Sequence, residues 1–284
     1  MCLGGICGDI IGSRFEGRNK PKNSNFKLFT KKSRFTDDTV LSLAVADAIL
    51  NGKEYSQVFK EYYKKYPYAG YGRKFKEWAK SSSDICLDSW GNGSAMRISP
   101  LAYVFDNEKE LLSEVKRATT PTHNSPEGIK GAQAVALAIF MARKGASREE
   151  IYSEMTIRMG YDLMNVPNGF FVSCQESVPQ ALVAFLTSID YVDAIRKAVM
   201  FMGDADTLAC IAGSIAQPFY GKKLEAIPQD VILKTFERLP DDLSDITEQF
   251  IQKYIDNDFQ KPAKMTPEAM FYDLYRSLFE GEMV

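Results

Sequence analysis

Helix-forming patterns recur along this sequence, and several start or stop at residues suited to helix ends. Residues 39–50 carry apolar side chains at helical spacing and are followed by Gly52, a residue type that often ends helices. Ser125 and Pro126 precede the apolar run at residues 132–141, as an N-cap and first helical residue would. Long alternating patterns typical of β-strands are scarce. The sequence therefore predicts an all-α fold.

Two more helix starts support this prediction. Ser147 and Glu150 have the spacing of a capping box, and Thr266-Pro267-Glu268 is typical of the start of a final helix. No internal repeat or low-complexity tract interrupts the 284 residues, of which 45% are hydrophobic. Because this is enough apolar material for a large core, we expect a single domain over residues 1–284.

Composition and charge argue against several classes of protein. A net charge of −2 is unlike that of a protein that coats nucleic acid. Five cysteines without a CxxC pair indicate reduced thiols, and a single histidine excludes a His-rich metal site. The N-terminus lacks the basic region of a signal peptide, and no segment approaches the roughly 18 apolar residues of a membrane span. We expect a soluble, cytoplasmic protein with no membrane partner.

Two acidic clusters each precede an apolar helical segment: TDDT at residues 36–39 and GDADT at residues 203–207. One interpretation is helix capping, since Asp and Thr are favoured N-caps and acids suit the positive end of a helix. Capping needs only one oxygen, however, and crowded carboxylates repel unless a cation or proton lies between them. Together the clusters favour an all-oxygen site for Mg²⁺ or Mn²⁺, with the candidate ligands Thr36, Asp37, Asp38, Asp204, Asp206 and Thr207.

A glycine-rich segment, SWGNGSAMR at residues 89–97, is a third candidate. Glycines let a backbone approach a ligand closely, and N–H groups at a following helix can hold phosphate. The alternative is a tight turn with a buried tryptophan. The segment is neither a Walker loop nor a dinucleotide-binding fingerprint. The ligand-binding interpretation involves Ser89, Trp90, Gly91, Asn92, Gly93, Ser94 and Met96, with Trp90 as a flat wall for a ribose or base.

Three further features are open to two interpretations each. Small residues within residues 4–16 predict a close-packed helix face ending near Glu16, which is either a site residue or a surface acid. A lone histidine such as His123 is more often a structural hydrogen-bonding residue than a catalyst. Residues 14–34 carry eight Lys or Arg and one acid, which indicates either a solvated surface loop or a flap over an anionic substrate.

In this order and spacing, the motifs resemble those of the ADP-ribosylglycohydrolase family. The matching segments are GDIIGSRFE at residues 8–16, FTDDT at 35–39, SWGNGSAMR at 89–97, TH at 122–123 and GDADTLACIAGSIA at 203–216. The resemblance implies a compact orthogonal multi-helix bundle with two adjacent divalent metal ions in a cleft. It also implies hydrolysis of the glycosidic bond between ADP-ribose and a modified protein, nucleic acid or small molecule.

The same resemblance implies roles for individual residues. Two sets of three side chains would each hold one metal ion: Thr36, Asp37 and Asp38 for the first, and Asp204, Asp206 and Thr207 for the second, with Asp206 bridging. Asp37 or Glu16 would act as the acid/base catalyst. Residues 89–93 would line the diphosphate and distal ribose, and His123 would contact the substrate. One departure is Met202, which stands where the family has the first of two glycines.

Two alternative functions are weighed against this one. A phosphatase of the haloacid-dehalogenase type is suggested by Asp204 and Asp206, but its motif requires a preceding strand and leaves residues 36–39 unexplained. A non-catalytic relative, either an ADP-ribose-binding module or a structural protein like the lens crystallins, would share the fold without the activity. The presence of both acidic clusters speaks against it. The leaving group, the choice between Mg²⁺ and Mn²⁺, and the oligomeric state stay open.

Overall fold

The computed structural model describes residues 3–17, 20–82 and 85–262, and over this part of the chain the all-α prediction is confirmed. The helices of the described residues are α1 Leu3–Gly12, α2 Asp37–Asn51, α3 Tyr55–Lys65, α4 Arg73–Lys80, α5 Gly93–Met96, α6 Leu101–Val104, α7 Glu108–Thr119, α8 Pro126–Arg143, α9 Arg148–Ser153, α10 Cys174–Leu186, α11 Tyr191–Met200, α12 Ala205–Tyr220, α13 Gln229–Phe236 and α14 Asp241–Tyr254. A 3₁₀ turn at Ser13–Phe15 follows α1, and a π-helical turn at Glu154–Arg158 follows α9. The helix predicted from Thr266 lies outside the described residues.

The predicted helix ends form as expected. Gly52 follows α2 with a φ of 64°, and Ser125 accepts a hydrogen bond from the Gly128 N–H at the start of α8. Both halves of the capping box between Ser147 and Glu150 are present at the start of α9. These ends are set by local hydrogen bonds, so they can be predicted without knowledge of the tertiary structure.

Helices α1 and α12 form the centre of the core, where their backbones touch. A Cβ placed on Gly8 would lie 2.1 Å from the Ala209 carbonyl oxygen, and one on Gly12 would lie 2.4 Å from that of Ala205. Real Cβ atoms do not approach so closely, so the helices can pack at this distance only because these positions are glycine. The close-packed face predicted within residues 4–16 is therefore confirmed.

The other helices surround this pair, and the ends of three helices lie close together. Helices α8, α10 and α11 pack against α12, while α2 contacts α1, α3, α12 and α14. The C-terminal end of α1 and the starts of α2 and α12 consequently lie at one end of the bundle. Among the described helices, none combines the length and apolar character needed to cross a bilayer.

Candidate active site

The predicted site residues gather around a cavity of about 350 Å³ at this end of the bundle. Those that line it are Glu16, Asp37, Asp38, Ser89, Gly91, Asn92, Gly93, Met96, His123, Asp204, Asp206 and Thr207. Three others lie beside the lining. Thr36 is buried under the acidic cluster, Trp90 is half exposed at 53%, and Ser94 is fully buried and donates to the Gly128 carbonyl. Ser94 thus packs beneath the glycine-rich segment in this structure.

Carboxylates from the two sequence-distant clusters meet in the cavity. Oxygen atoms of Asp9, Asp38 and Asp206 lie within 4.8 Å of one another, and so do those of Glu16, Asp204 and Asp206. Asp206 belongs to both groups and therefore lies between them. The clusters are also joined directly, because the Thr207 hydroxyl donates to Asp38 Oδ2 at 3.3 Å.

Asp37 belongs to neither group of carboxylates, although the charges of Asp9, Asp204 and Glu16 act on it. Its backbone N–H donates to the Ala69 carbonyl at 2.8 Å. Its side chain is pressed against Gly70, where an added Cβ would lie 2.8 Å from Asp37 Oδ1 and where φ is +121°. The positive φ strongly favours glycine at position 70, a residue that sequence reasoning did not connect with the site.

The five acidic side chains that line the cavity all have raised pKa values, so their ionised forms are unfavourable there. Burial, with the neighbouring acids, raises the pKa of Asp37 to about 8 and the pKa values of Asp38 and Asp206 well above their usual range. Burial also raises the pKa values of Glu16 and Asp204. Among the described residues, no lysine or arginine forms an ion pair with any of these five acids. Bound cations would supply the missing positive charge.

The chemistry of the donor set fits a hard divalent cation. Every side-chain donor in the acidic cluster is an oxygen, which suits Mg²⁺ or Mn²⁺ and not a soft metal. Asp38 Oδ1 is buried and has no hydrogen-bond partner in the described structure. A buried carboxylate oxygen without a partner is unfavourable unless a ligand occupies it.

Asp9 is a component of the site that sequence reasoning missed. It is completely buried, and its Oδ1 accepts a hydrogen bond from the Thr36 hydroxyl at 2.7 Å. Its Oδ2 accepts from the backbone N–H groups of Thr36 at 2.9 Å and Thr39 at 3.2 Å, and from the Thr39 hydroxyl. With both oxygens engaged, Asp9 orients the first acidic cluster more readily than it binds a cation itself. The available signal was a charged residue inside an otherwise apolar helix.

The orientation of the Thr36 hydroxyl follows from this contact. The hydroxyl lies 2.7 Å from Asp9 Oδ1 and 3.3 Å from Asp38 Oδ2, so its single proton goes to the nearer acceptor, Asp9. The Thr36 oxygen is left as an acceptor, and the Asp38 backbone N–H donates to it at 3.3 Å. The capping and the ligand interpretations of residues 36–39 are therefore compatible. One threonine oxygen caps α2 and retains a further lone pair.

The glycine-rich segment is held in place by two neighbouring chain segments. Gly91 forms an isolated β-bridge with Ser173, and the Asn92 N–H donates to the Val172 carbonyl at 2.8 Å. The Asn92 side chain in turn donates to Asp204 Oδ2 at 2.8 Å. This segment is thereby fixed against the second acidic cluster. Phe170 and Val172 also line the cavity, although they belong to no motif singled out in the sequence analysis.

His123 faces the same glycine-rich segment from the other side. Its Nδ1 lies 2.8 Å from the Thr122 hydroxyl, which accepts a hydrogen bond from Arg97 Nη2 at 2.6 Å. Burial and the positive charge of Arg97 lower the pKa of His123 well below its usual value. His123 is therefore a neutral imidazole at physiological pH.

The sequence departure at Met202 has a structural consequence. Met202 has a φ of 57°, in the left-handed region that favours glycine. Helix α11 ends just before it, and Gly203 follows. The methionine therefore adopts a strained backbone conformation directly before the second acidic cluster. The same segment disfavours the phosphatase alternative, because a helix and not a strand precedes Asp204.

Comparisons with known proteins identify the family of this chain. A family model described as ADP-ribosylglycohydrolase matches residues 1–259. ADP-ribosylhydrolase ARH3 of Gallus gallus is 24% identical over 311 aligned residues, covering 78% of this chain and 85% of the relative. The Homo sapiens protein of the same name is 23% identical over 314 residues, covering 80% and 86%. ADP-ribosylarginine hydrolase Tri1 of Pseudomonas putida is 25% identical over 264 residues, covering 77% and 69%.

A solved structure described as an ADP-ribosylglycohydrolase-related protein complex shares the fold. It superposes with a TM-score of 0.66 at 23% identity and covers 88% of this chain and 95% of its own. At this identity the likeness shows the fold alone. The family model, in contrast, spans both acidic clusters, the glycine-rich segment and Asp9, and on that match the chain belongs to the ADP-ribosylglycohydrolase family.

Proposed function

We propose that this protein hydrolyses the glycosidic bond between ADP-ribose and a modified protein, nucleic acid or small molecule, using two divalent cations, Mg²⁺ or Mn²⁺. The observation that carries the proposal is the sharing of Asp206 by two groups of carboxylates in one cavity. The names of the relatives, which are hydrolases of ADP-ribosylated targets, support the same reaction class.

The cations would be held by the two clusters that the sequence singled out. The ligands of this proposal are Thr36, Asp37 and Asp38 for one ion and Asp204, Asp206 and Thr207 for the other. Ions bound there would supply Lewis acidity that fixes the distal ribose hydroxyls and activates a water molecule. Asp9 would keep the Thr36 oxygen turned towards the first ion through the contact at 2.7 Å.

The protein's own carboxylates would serve the bond cleavage in two ways. Glycosidic cleavage passes through a transition state with positive charge on the sugar, which nearby negative charge stabilises. Proton transfer falls to Asp37 or Glu16. Both line the cavity, so either carboxyl group would lie beside the bound substrate, as an acid/base catalyst must.

The opposite wall of the cavity would bind the rest of the ADP-ribose. Gly91 and Gly93 expose backbone to the cavity beside His123, an arrangement that suits the diphosphate and distal ribose. Trp90 is half exposed next to this wall and lies 5.5 Å from the Lys74 ammonium. An exposed aromatic ring with a cation above it offers a surface for a ribose or base.

The test is release of ADP-ribose from a panel of substrates modified on arginine, serine or a nucleobase. We expect turnover with Mg²⁺ or Mn²⁺ and none after chelation. Asp37→Ala and Asp206→Ala should each abolish turnover while circular dichroism shows an unchanged helical content. Asp47→Ala is the matched control, because Asp47 is a buried acid of α2 that pairs with Lys53 outside the cavity. Turnover retained in both site variants would refute the proposal, and binding of ADP-ribose without turnover of any substrate would favour the non-catalytic alternative.

A further inference from the structure

Arg97 is a fully buried arginine that forms no ion pair with any acid of the described residues. Its exposed fraction is 0%, and its guanidinium carbon lies 4.2 Å from the centre of the Phe59 ring. Its Nη2 donates to the Thr122 hydroxyl at 2.6 Å, while Nε and Nη1 have no partner in the described structure. Burying a charged group in this way is unfavourable. Nη2 also reaches the Ala118 carbonyl at 3.5 Å, so the contact with Thr122 is the shorter of the two hydrogen bonds that hold the guanidinium in place.

The contact with Thr122 determines where the protons of the neighbouring imidazole lie. A guanidinium can only donate hydrogen bonds, so the Thr122 oxygen accepts from Arg97. The hydroxyl has one proton, and among the described residues His123 Nδ1, at 2.8 Å, is the acceptor within reach. Nδ1 of a neutral imidazole that accepts a hydrogen bond carries no proton. The proton of the ring is therefore on Nε2.

The protonated nitrogen faces the cavity. A Cβ placed on Gly93 would lie 3.3 Å from His123 Nε2, and one on Gly91 would lie 3.5 Å from it. Both glycines and His123 line the cavity. The absence of side chains at these two positions leaves the Nε2–H accessible from the side where the proposed substrate would lie.

We propose that Arg97 and Thr122 are positioning residues that hold His123 as the Nε2–H tautomer, so that it presents one fixed hydrogen-bond donor to an anionic or hydroxylated ligand in the cavity. The identity of that ligand as ADP-ribose rests on the proposed function. The tautomer itself follows from the contacts of Arg97, Thr122 and His123 alone.

The tautomer can be measured without interference, because His123 is the single histidine of the sequence. Long-range ¹H–¹⁵N spectra of protein labelled with ¹⁵N-histidine distinguish a protonated from an unprotonated ring nitrogen. We expect Nε2–H in the unmodified protein and in Thr122→Ser, which keeps the hydroxyl. In Thr122→Val the two nitrogen shifts should move towards each other, because Nδ1 loses its donor. Thr120→Val is the matched control, since among the described residues the Thr120 hydroxyl donates to the Lys116 carbonyl alone.

Affinity for ADP-ribose, measured by calorimetry, gives a second readout. We expect Thr122→Val to bind ADP-ribose about tenfold more weakly, which is the upper end of the contribution of one hydrogen bond. The affinities of Thr122→Ser and Thr120→Val should be close to that of the wild-type protein. An Nδ1–H tautomer in the unmodified protein would overturn the inference, and this result needs no variant to fold. Two results for Thr122→Val would also overturn it: a spectrum identical to that of the wild-type protein, or an altered tautomer with unchanged affinity for ADP-ribose. If the unmodified protein does not bind ADP-ribose at all, the proposed function fails, and the spectra still decide the tautomer.

Discussion

Replacing Asp9 by asparagine would test whether Asp9 orients the ligands of a cation or binds the cation itself. Asp9 Oδ2 accepts three hydrogen bonds, from the backbone N–H groups of Thr36 and Thr39 and from the Thr39 hydroxyl, whereas Oδ1 accepts one, from the Thr36 hydroxyl. Asparagine has nearly the same shape but only one acceptor oxygen, and its NH₂ group donates. The amide oxygen should take the place of Oδ2, where three donors converge, and the NH₂ should face Thr36.

The expected effect follows from that reversal. The Thr36 hydroxyl would accept a hydrogen bond from the new amide, so one lone pair available to a cation would be lost. Changes to groups that orient metal ligands weaken metal binding by about 10- to 100-fold, or about 1.4–2.8 kcal/mol. We expect the Kd for Mn²⁺, measured by isothermal titration calorimetry, to rise by this factor. The helical content should stay the same because the side-chain volume is conserved.

Two variants bracket this result. Asp206→Ala removes the carboxylate shared by both groups and should abolish binding of at least one ion. Asp47→Asn changes a buried acid on the same helix α2 but outside the cavity, and should leave the Kd unaltered. A loss of Mn²⁺ binding in Asp9→Asn as complete as in Asp206→Ala would show that Asp9 is itself a ligand. An unchanged Kd would show that its contact with Thr36 does not matter. Either outcome refutes the reasoning.

Three further predictions concern stability. Gly8→Ala should lower the free energy of unfolding by about 1–3 kcal/mol, because the new Cβ would lie 2.1 Å from the Ala209 carbonyl oxygen; unchanged denaturant midpoints would contradict the close packing. Met202→Gly should raise the free energy of unfolding by about 1 kcal/mol, because it removes the strain of a non-glycine residue at a φ of 57°. A lower free energy of unfolding in this variant would contradict that strain. Without divalent cations the melting temperature should fall as pH rises from about 4 to about 8. Burial raises the pKa of Asp9 to about 6 and that of Asp37 to about 8, above their values in the unfolded chain. The folded state therefore binds more protons than the unfolded state in this range and loses stability as they dissociate. Saturating Mg²⁺ should remove this trend, and a melting temperature that rises over the same range in chelator would contradict it.

The sequence was sufficient to predict what depends on neighbours in the chain. The end of α2 at Gly52 and the capping box at Ser147 are local patterns, and both are present in the structure. The two acidic clusters could be singled out because each is crowded within a few residues. Their order and spacing with the glycine-rich segment also sufficed to identify the family.

What could not be predicted depends on contacts between distant parts of the chain. Asp9 is an isolated acid in an apolar helix, and its importance is evident only when Thr36 and Thr39 are found against it. Arg97 lies 25 residues from Thr122, its partner in space. No periodicity or local motif reports such pairings, because the side chains meet only after the helices have packed.

The chemistry of the site depends on how closely α1 and α12 pack. A Cβ on Gly12 would lie 2.7 Å from the Asp206 Cα, so any larger residue there would move α12 and its aspartate away from α1. Helices with ordinary side chains between them pack about 8–10 Å apart. The carboxylate oxygens of Asp9, Asp38 and Asp206 lie within 4.8 Å of one another, a span that tolerates little such separation. The glycines of α1 do not line the cavity, yet they set the distance between the acids that would hold the cations.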